Sequence, residues 1–128
     1  MELPTLAGIE DAEARLRPYL AETPLIRSEL LSRALGAGIW LKNETVTPIS
    51  SFKMRGALID IMRKHEKDKI EKVCTSSTGN HGQGVAYAAR LLGIKADIFL
   101  PAQANAVKAA MVKAFGGTLH MIGKDNNE

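Results

Sequence analysis

The chain reads as an α/β protein: a parallel sheet with flanking helices, in a three-layer αβα arrangement. Two observations predict it. Short apolar runs with β-forming residues alternate along the chain with helical patterns of about 10–15 residues. Such an alternation closes parallel strands through right-handed helical crossovers.

The elements follow in order. Leu6 to Leu20 reads as an amphipathic helix, with Leu6, Ile9, Leu16 and Leu20 on or near one face. Thr23-Pro24 ends it, since proline disfavours the helical backbone in the residue before it. Ser28 is placed to cap a second helix that stops at Gly36. Ile39-Trp40-Leu41 is a short strand. Ser51 to about Lys67 is a third helix, and Met54, Leu58, Ile61 and Met62 form its buried stripe. Val73-Cys74-Thr75, Ala96 to Leu100 and Thr118 to Ile122 are the later strands. Helices at His81 to Leu92 and Asn105 to Phe115 alternate with them.

Composition bounds the function classes. With 45% apolar and 24% charged residues among 128, the chain reads as globular and able to bury a core. The net charge of +3 is modest, and Lys64, Lys67, Lys69 and Lys72 interleave with Glu66, Asp68 and Glu71. That pattern is a solvated helix end rather than a nucleic-acid patch, and 5% aromatic residues give no base-stacking surface. Cys74 is the sole cysteine, so no intrachain disulfide forms, and its strand position reads as buried core. One cysteine and three scattered histidines lack zinc-ligand spacing, so no metal is expected. His65 is expected to be exposed in the charged helix end, and His120 to lie at a core or edge strand position. No signal-peptide pattern and no membrane-spanning apolar run is seen; a cytoplasmic protein without membrane association is expected. Lys124 to Glu128 reads as a loop cut before the next element.

Two motifs carry chemistry. In Ser50-Ser51-Phe52-Lys53-Met54-Arg55-Gly56-Ala57 a lysine stands in the first turn of a helix. The partial positive charge of a helix N-terminus favours the neutral amine, the species that condenses with an aldehyde. Lys53 lies about 100° from Met54 around the helix, so it can face a cleft while Met54 packs. The second motif, Ser76-Ser77-Thr78-Gly79-Asn80-His81-Gly82-Gln83-Gly84, is a small-residue turn between strand and helix. Its backbone N–H groups suit a carboxylate or phosphate. Gly79 and Gly84 have the spacing of a nucleotide phosphate loop, but Val85-Ala86 stand where Lys-Ser/Thr is required. Gly79, Gly82 and Gly84 also fail the order of a dinucleotide fingerprint. What remains is an anion loop, with His81 as a brace.

Together the motifs resemble the fold-type II pyridoxal-phosphate (PLP) enzymes, within the threonine/serine dehydratase and serine racemase group. The resemblance includes Thr23-Pro24-Leu25, Trp40-Leu41-Lys42-Asn43-Glu44, Phe99-Leu100-Pro101, Lys108 and Phe115-Gly116-Gly117. It implies that Lys53 is catalytic and carries the cofactor, with Phe52 and Asn80 also binding it. It implies that Ser77, Thr78, Gly79, Asn80 and His81 receive the substrate carboxylate. Lys42 and Glu44 flank the strand and read by default as a surface ion pair; the resemblance implies instead that Glu44 braces the active-site segment. Two positions depart from the family pattern: Thr47 and Ser50 replace the usual Gln and Gly. Thr78 is neither the common dehydratase alanine nor the racemase serine, which leaves elimination and racemisation open.

The resemblance further implies residues 1–52 joining a larger PLP domain and 53–128 making most of a smaller α/β domain. The family's glycine-rich phosphate loop has no counterpart here, where the sole adjacent glycines are Gly116-Gly117. The implied protein is the N-terminal portion of an ammonia-lyase, inactive alone. It would act on threonine or serine and assemble as a homo-oligomer. A racemase, or a non-catalytic fragment acting only through association, is the alternative.

Overall fold

The computed structural model describes residues 3–124; Asp125 to Glu128, at the expected polar loop, lie outside the described residues. Helix α1 (Leu6–Leu16) starts at Thr5, whose hydroxyl accepts from the Gly8 N–H at 3.1 Å. It ends four residues short of Leu20, because Pro18 lacks an N–H and its ring crowds the carbonyl one turn back. A turn continues to Leu20, whose N–H donates to the Leu16 carbonyl, and both leucines are buried. Leu6 and Ile9 are exposed, so half of the predicted stripe packs.

Strand β1 (Leu25–Arg27) carried no sequence expectation beyond the Thr23-Pro24 break. Helix α2 (Glu29–Leu35) is capped by the Ser28 hydroxyl and closes at Gly36, in the left-handed conformation at φ 64°. Strand β2 (Trp40–Lys42) lies one residue later than expected and pairs antiparallel with β1, Ile26 opposite Leu41. The two strands form a sheet of their own, and all six of their residues are exposed.

The parallel sheet is as predicted. Strands β3 (Lys72–Ser76), β4 (Lys95–Leu100) and β5 (Thr118–Met121) lie in that order, with Val73 opposite Ala96 and Ile98 opposite Leu119. Helix α3 (Lys53–Asp68) precedes β3, α4 (Asn80–Leu91) crosses from β3 to β4, and α5 (Ala106–Ala114) crosses from β4 to β5. Ala96, Ile98 and Leu100 of β4 are buried on the side where α4 packs. Val112 of α5 meets the same face at Gly117. Helix α3 packs on α4 through Met54, Ala57, Leu58 and Ile61, all buried, with Met62 half-buried. Met54 and Leu58 have no exposed surface, and each such side chain contributes about 1.5–3 kcal/mol by leaving water.

The opposite sheet face is polar and partly open. Cys74 is exposed there, not a core residue. Strand alternation turns Val73 and Thr75 toward the helices and leaves Lys72, Cys74 and Ser76 on the other side. On that face Asp97 accepts from Lys72 Nζ at 2.6 Å and lies 3.0 Å from His120 Nε2, whose ring stacks on Phe99. His65 is half-buried rather than exposed, its Nδ1 2.7 Å from the Ile70 carbonyl just past α3. No helix of the described residues is long and apolar enough to cross a membrane.

Candidate functional site

The loop between β3 and α4 is held tightly. Its Ser77 N–H donates to the Phe99 carbonyl at 3.2 Å, and the Gly79 N–H donates to Ser77 Oγ at 3.3 Å. A Cβ on Gly82 would stand 2.7 Å from the Ser77 carbonyl oxygen and 3.2 Å from Ile98, so this turn closes on the sheet only with glycine. Helix α4 begins at Gly79 with no side-chain cap, which leaves its first-turn N–H groups available to a ligand. Ser77, Thr78 and Gly79 are half-buried; Asn80 and His81 are exposed.

Helix α3 brings the second motif to this turn. A Cβ on Gly84 would lie 3.3 Å from the Met54 nitrogen and 3.4 Å from the Lys53 carbonyl carbon. Gly84 is one turn along α4 from Asn80, so the backbone at Lys53 crosses α4 beside the start of the anion loop. Met54 is buried and Lys53 exposed, as the helical spacing required. The Lys53 amine sits 5.2 Å from the centre of the Phe52 ring, which is 59% exposed.

The chain before Lys53 is folded by Thr47 and Ser51, whose bonds carried no sequence signal, and by Glu44, the brace that the resemblance implied. Thr47 Oγ1 accepts from the Ser51 N–H and donates to the Ser51 carbonyl, both at 2.9 Å. Ser51 Oγ in turn accepts from the Lys53 N–H at 3.3 Å. Ser50 takes φ 52°, a left-handed conformation that suits the glycine usual at this position in the resembled family. Glu44 is no surface partner of Lys42. Its carboxylate accepts from Arg55 Nε at 2.8 Å, from Arg55 Nη2 at 3.0 Å and from the Thr23 hydroxyl at 2.6 Å. The Arg55 guanidinium holds the Glu44 carboxyl below the usual carboxylate range, and Thr23 adds to the effect against partial burial. Lys42 Nζ donates instead to the Thr23 carbonyl at 2.6 Å.

Thr78 lines a hollow of about 420 Å³ with Asn105 and Lys108. His81 lines another, of about 520 Å³, with Gly56 of α3 and Thr75 of β3.

A family model described as "Pyridoxal-phosphate dependent enzyme" matches residues 16–128. The chain belongs to this family. Its members depend on PLP, and this chain is 39% identical over 125 residues to the catabolic L-threonine dehydratase TdcB of Staphylococcus aureus (strain USA300). The match covers 97% of this chain and 36% of that protein, so the chain spans about a third of the length of this relative. Among solved structures it is similar to maize serine racemase, at 33% identity and a TM-score of 0.87 over 97% of this chain and 38% of that one. It is also similar to the processed form of threonine deaminase isoform 2 from Solanum lycopersicum. There the identity is 34% and the TM-score 0.83, over 93% of this chain and 33% of that one.

The residues present fit PLP at its aldehyde. An exposed amine at a helix start suits that group, and the uncapped first turn of α4 suits the carboxylate of a substrate bound beside it. The Gly116-Gly117 pair forms the turn from α5 to β5, where Gly116 takes φ 88° and Gly117 packs on Ala86 and Val112. That turn is structural, and it is no phosphate cradle.

Proposed function

We propose that the chain forms the lysine-bearing part of a PLP-dependent ammonia-lyase of the threonine/serine dehydratase type. Its reaction converts a hydroxy amino acid to a 2-oxo acid and ammonia. The approach of the Lys53–Met54 backbone to Gly84 carries this reading, because it supports a lysine helix that starts beside the uncapped first turn of α4. The similarity to TdcB supports the choice of substrate class. In this reading residues 1–52 associate with a larger domain, and 53–128 make most of the smaller one.

Lys53 holds the cofactor, Phe52 flanks it and Asn80 hydrogen-bonds it. Ser77, Thr78, Gly79, Asn80 and His81 hold the substrate carboxylate, aided by the free N–H groups at the start of α4. PLP, when bound, supplies an electron sink for the charge left at the substrate's α-carbon. Lys53 then serves as general base for the α-proton. Fixing carboxylate and amine from two packed helices is what makes this productive, since about 1 Å of misplacement costs on the order of 100-fold in rate.

A second reading, a serine racemase, is supported by the similarity to the maize enzyme and by the Thr78 hydroxyl in the loop. A chain extended to the relatives' length separates the two. With serine and PLP it releases pyruvate faster than it forms D-serine, measured by coupled dehydrogenase assay and chiral chromatography. Lys53→Ala abolishes both products. D-serine forming faster would replace the lyase reading with the racemase. Turnover surviving Lys53→Ala would remove Lys53 from the site.

A further inference from the structure

The boundary residue of helix α3, Phe52, offers no side-chain cap, and the Ser51 hydroxyl before it accepts only the Lys53 N–H among the described residues. The first turn of α3 is nevertheless fixed on two sides. Met54 enters the core against α4 with no exposed surface. Arg55, the next residue, reaches back to Glu44, 11 positions earlier, through a two-point fork at 2.8 and 3.0 Å. The same guanidinium donates to the Thr23 hydroxyl at 3.2 Å, and that hydroxyl donates to Glu44. Thr23 is buried, and the Arg55 and Glu44 side chains are 31% and 17% exposed. The group thus joins three separate stretches: the approach to β1, the exit from β2 and the start of α3.

We propose that Arg55 is a positioning residue for Lys53. Side chains at 53, 54 and 55 leave a helix about 100° apart. Anchoring 54 in the core and 55 in the fork therefore sets the direction in which Lys53 projects. A planar guanidinium satisfies a carboxylate and a hydroxyl at once, which a lysine ammonium does only as a point charge. The inference rests on Lys53 being the cofactor-bearing residue, and the experiment keeps the two claims apart.

The 128-residue chain is mixed with pyridoxal 5′-phosphate and the adduct fixed with borohydride. Labelled lysines are mapped by peptide mass spectrometry, with far-UV circular dichroism reporting the fold. In the wild type, label concentrates on Lys53; label spread evenly over Lys42, Lys53 and Lys108 overturns the functional reading itself. In Arg55→Ala the Lys53 share of label falls by about tenfold, and millimolar guanidinium ion restores it. The control is Arg15→Ala, which removes the Arg15–Glu66 ion pair between α1 and the far part of α3. It leaves the share unchanged. An unchanged Lys53 share in folded Arg55→Ala overturns the positioning role, as does an equal loss in Arg15→Ala. Should Arg55→Ala not fold, Arg55→Lys is read by the same measure: a several-fold loss supports the fork, and full retention overturns it.

Discussion

Among the described residues, Glu44 and Asp97 are the two carboxylates whose environment sets a dependence on pH. The Arg55 guanidinium lowers the first, and the Lys72 ammonium, followed by His120, lowers the second. A carboxyl held below its ordinary value takes up its proton later in the folded chain than in the unfolded one. Where only the unfolded chain is protonated, stability rises with pH. The contribution is complete above the ordinary value, 4.5 for Glu44, and is lost as pH falls through the lower folded value. Urea unfolding should therefore show the chain weakening from about pH 4.5 downward. Glu44→Gln should lose about 1–3 kcal/mol at pH 7 and flatten that slope, because it leaves Arg55 and Thr23 with a neutral, poorer acceptor. An unchanged slope in this variant would mean that Glu44 is not ionically held.

At the scale of elements, the packing of α4 on β4 and α3 depends on two glycines that admit close backbone approach. Gly82 meets the Ser77 carbonyl and Gly84 meets the start of α3. Gly82→Ala would force its Cβ to 2.7 Å from a backbone oxygen, which cannot rotate away as a side chain would. The expected cost is about 1–3 kcal/mol of strain. A thermal melt should register it as a fall of several degrees, about 4 °C per kcal/mol at this size. Gly79→Ala, with nothing within 4 Å of its new Cβ, should fall much less. Equal losses at both positions would show that the Ser77 contact does not limit the turn.

For the whole molecule, the unequal burial of its two halves is the main fact. From Leu3 to Phe52 the chain exposes Leu6, Ile9, Leu25, Ile26, Leu30, Leu35, Trp40, Leu41 and Phe52, whereas the helices on the parallel sheet share a continuous core. So much apolar surface in one segment drives association. Sedimentation velocity should find oligomers at micromolar concentration. Trp40→Ser should shift them toward monomer, since Trp40 is 57% exposed and its loss costs the fold little. A monodisperse monomer in the wild type would show that this surface is tolerated in water.

Local patterns in the sequence determined the parallel sheet, the helices between its strands, the Ser28 and Gly36 caps and the separation of Lys53 from Met54. Each depends on periodicity or capping within a few residues, which a single segment carries by itself. The two motifs were legible for the same reason. Tertiary structure decided what joins distant segments. It paired β1 with β2 across an intervening helix and turned Cys74 outward on a sheet face that no local pattern distinguishes. It put Arg55 rather than Lys42 on Glu44 and laid Gly84 against the backbone of Lys53. An ion pair 11 residues apart and a glycine at a helix crossing leave no trace in local hydrophobicity, because their partners are chosen by how whole elements pack.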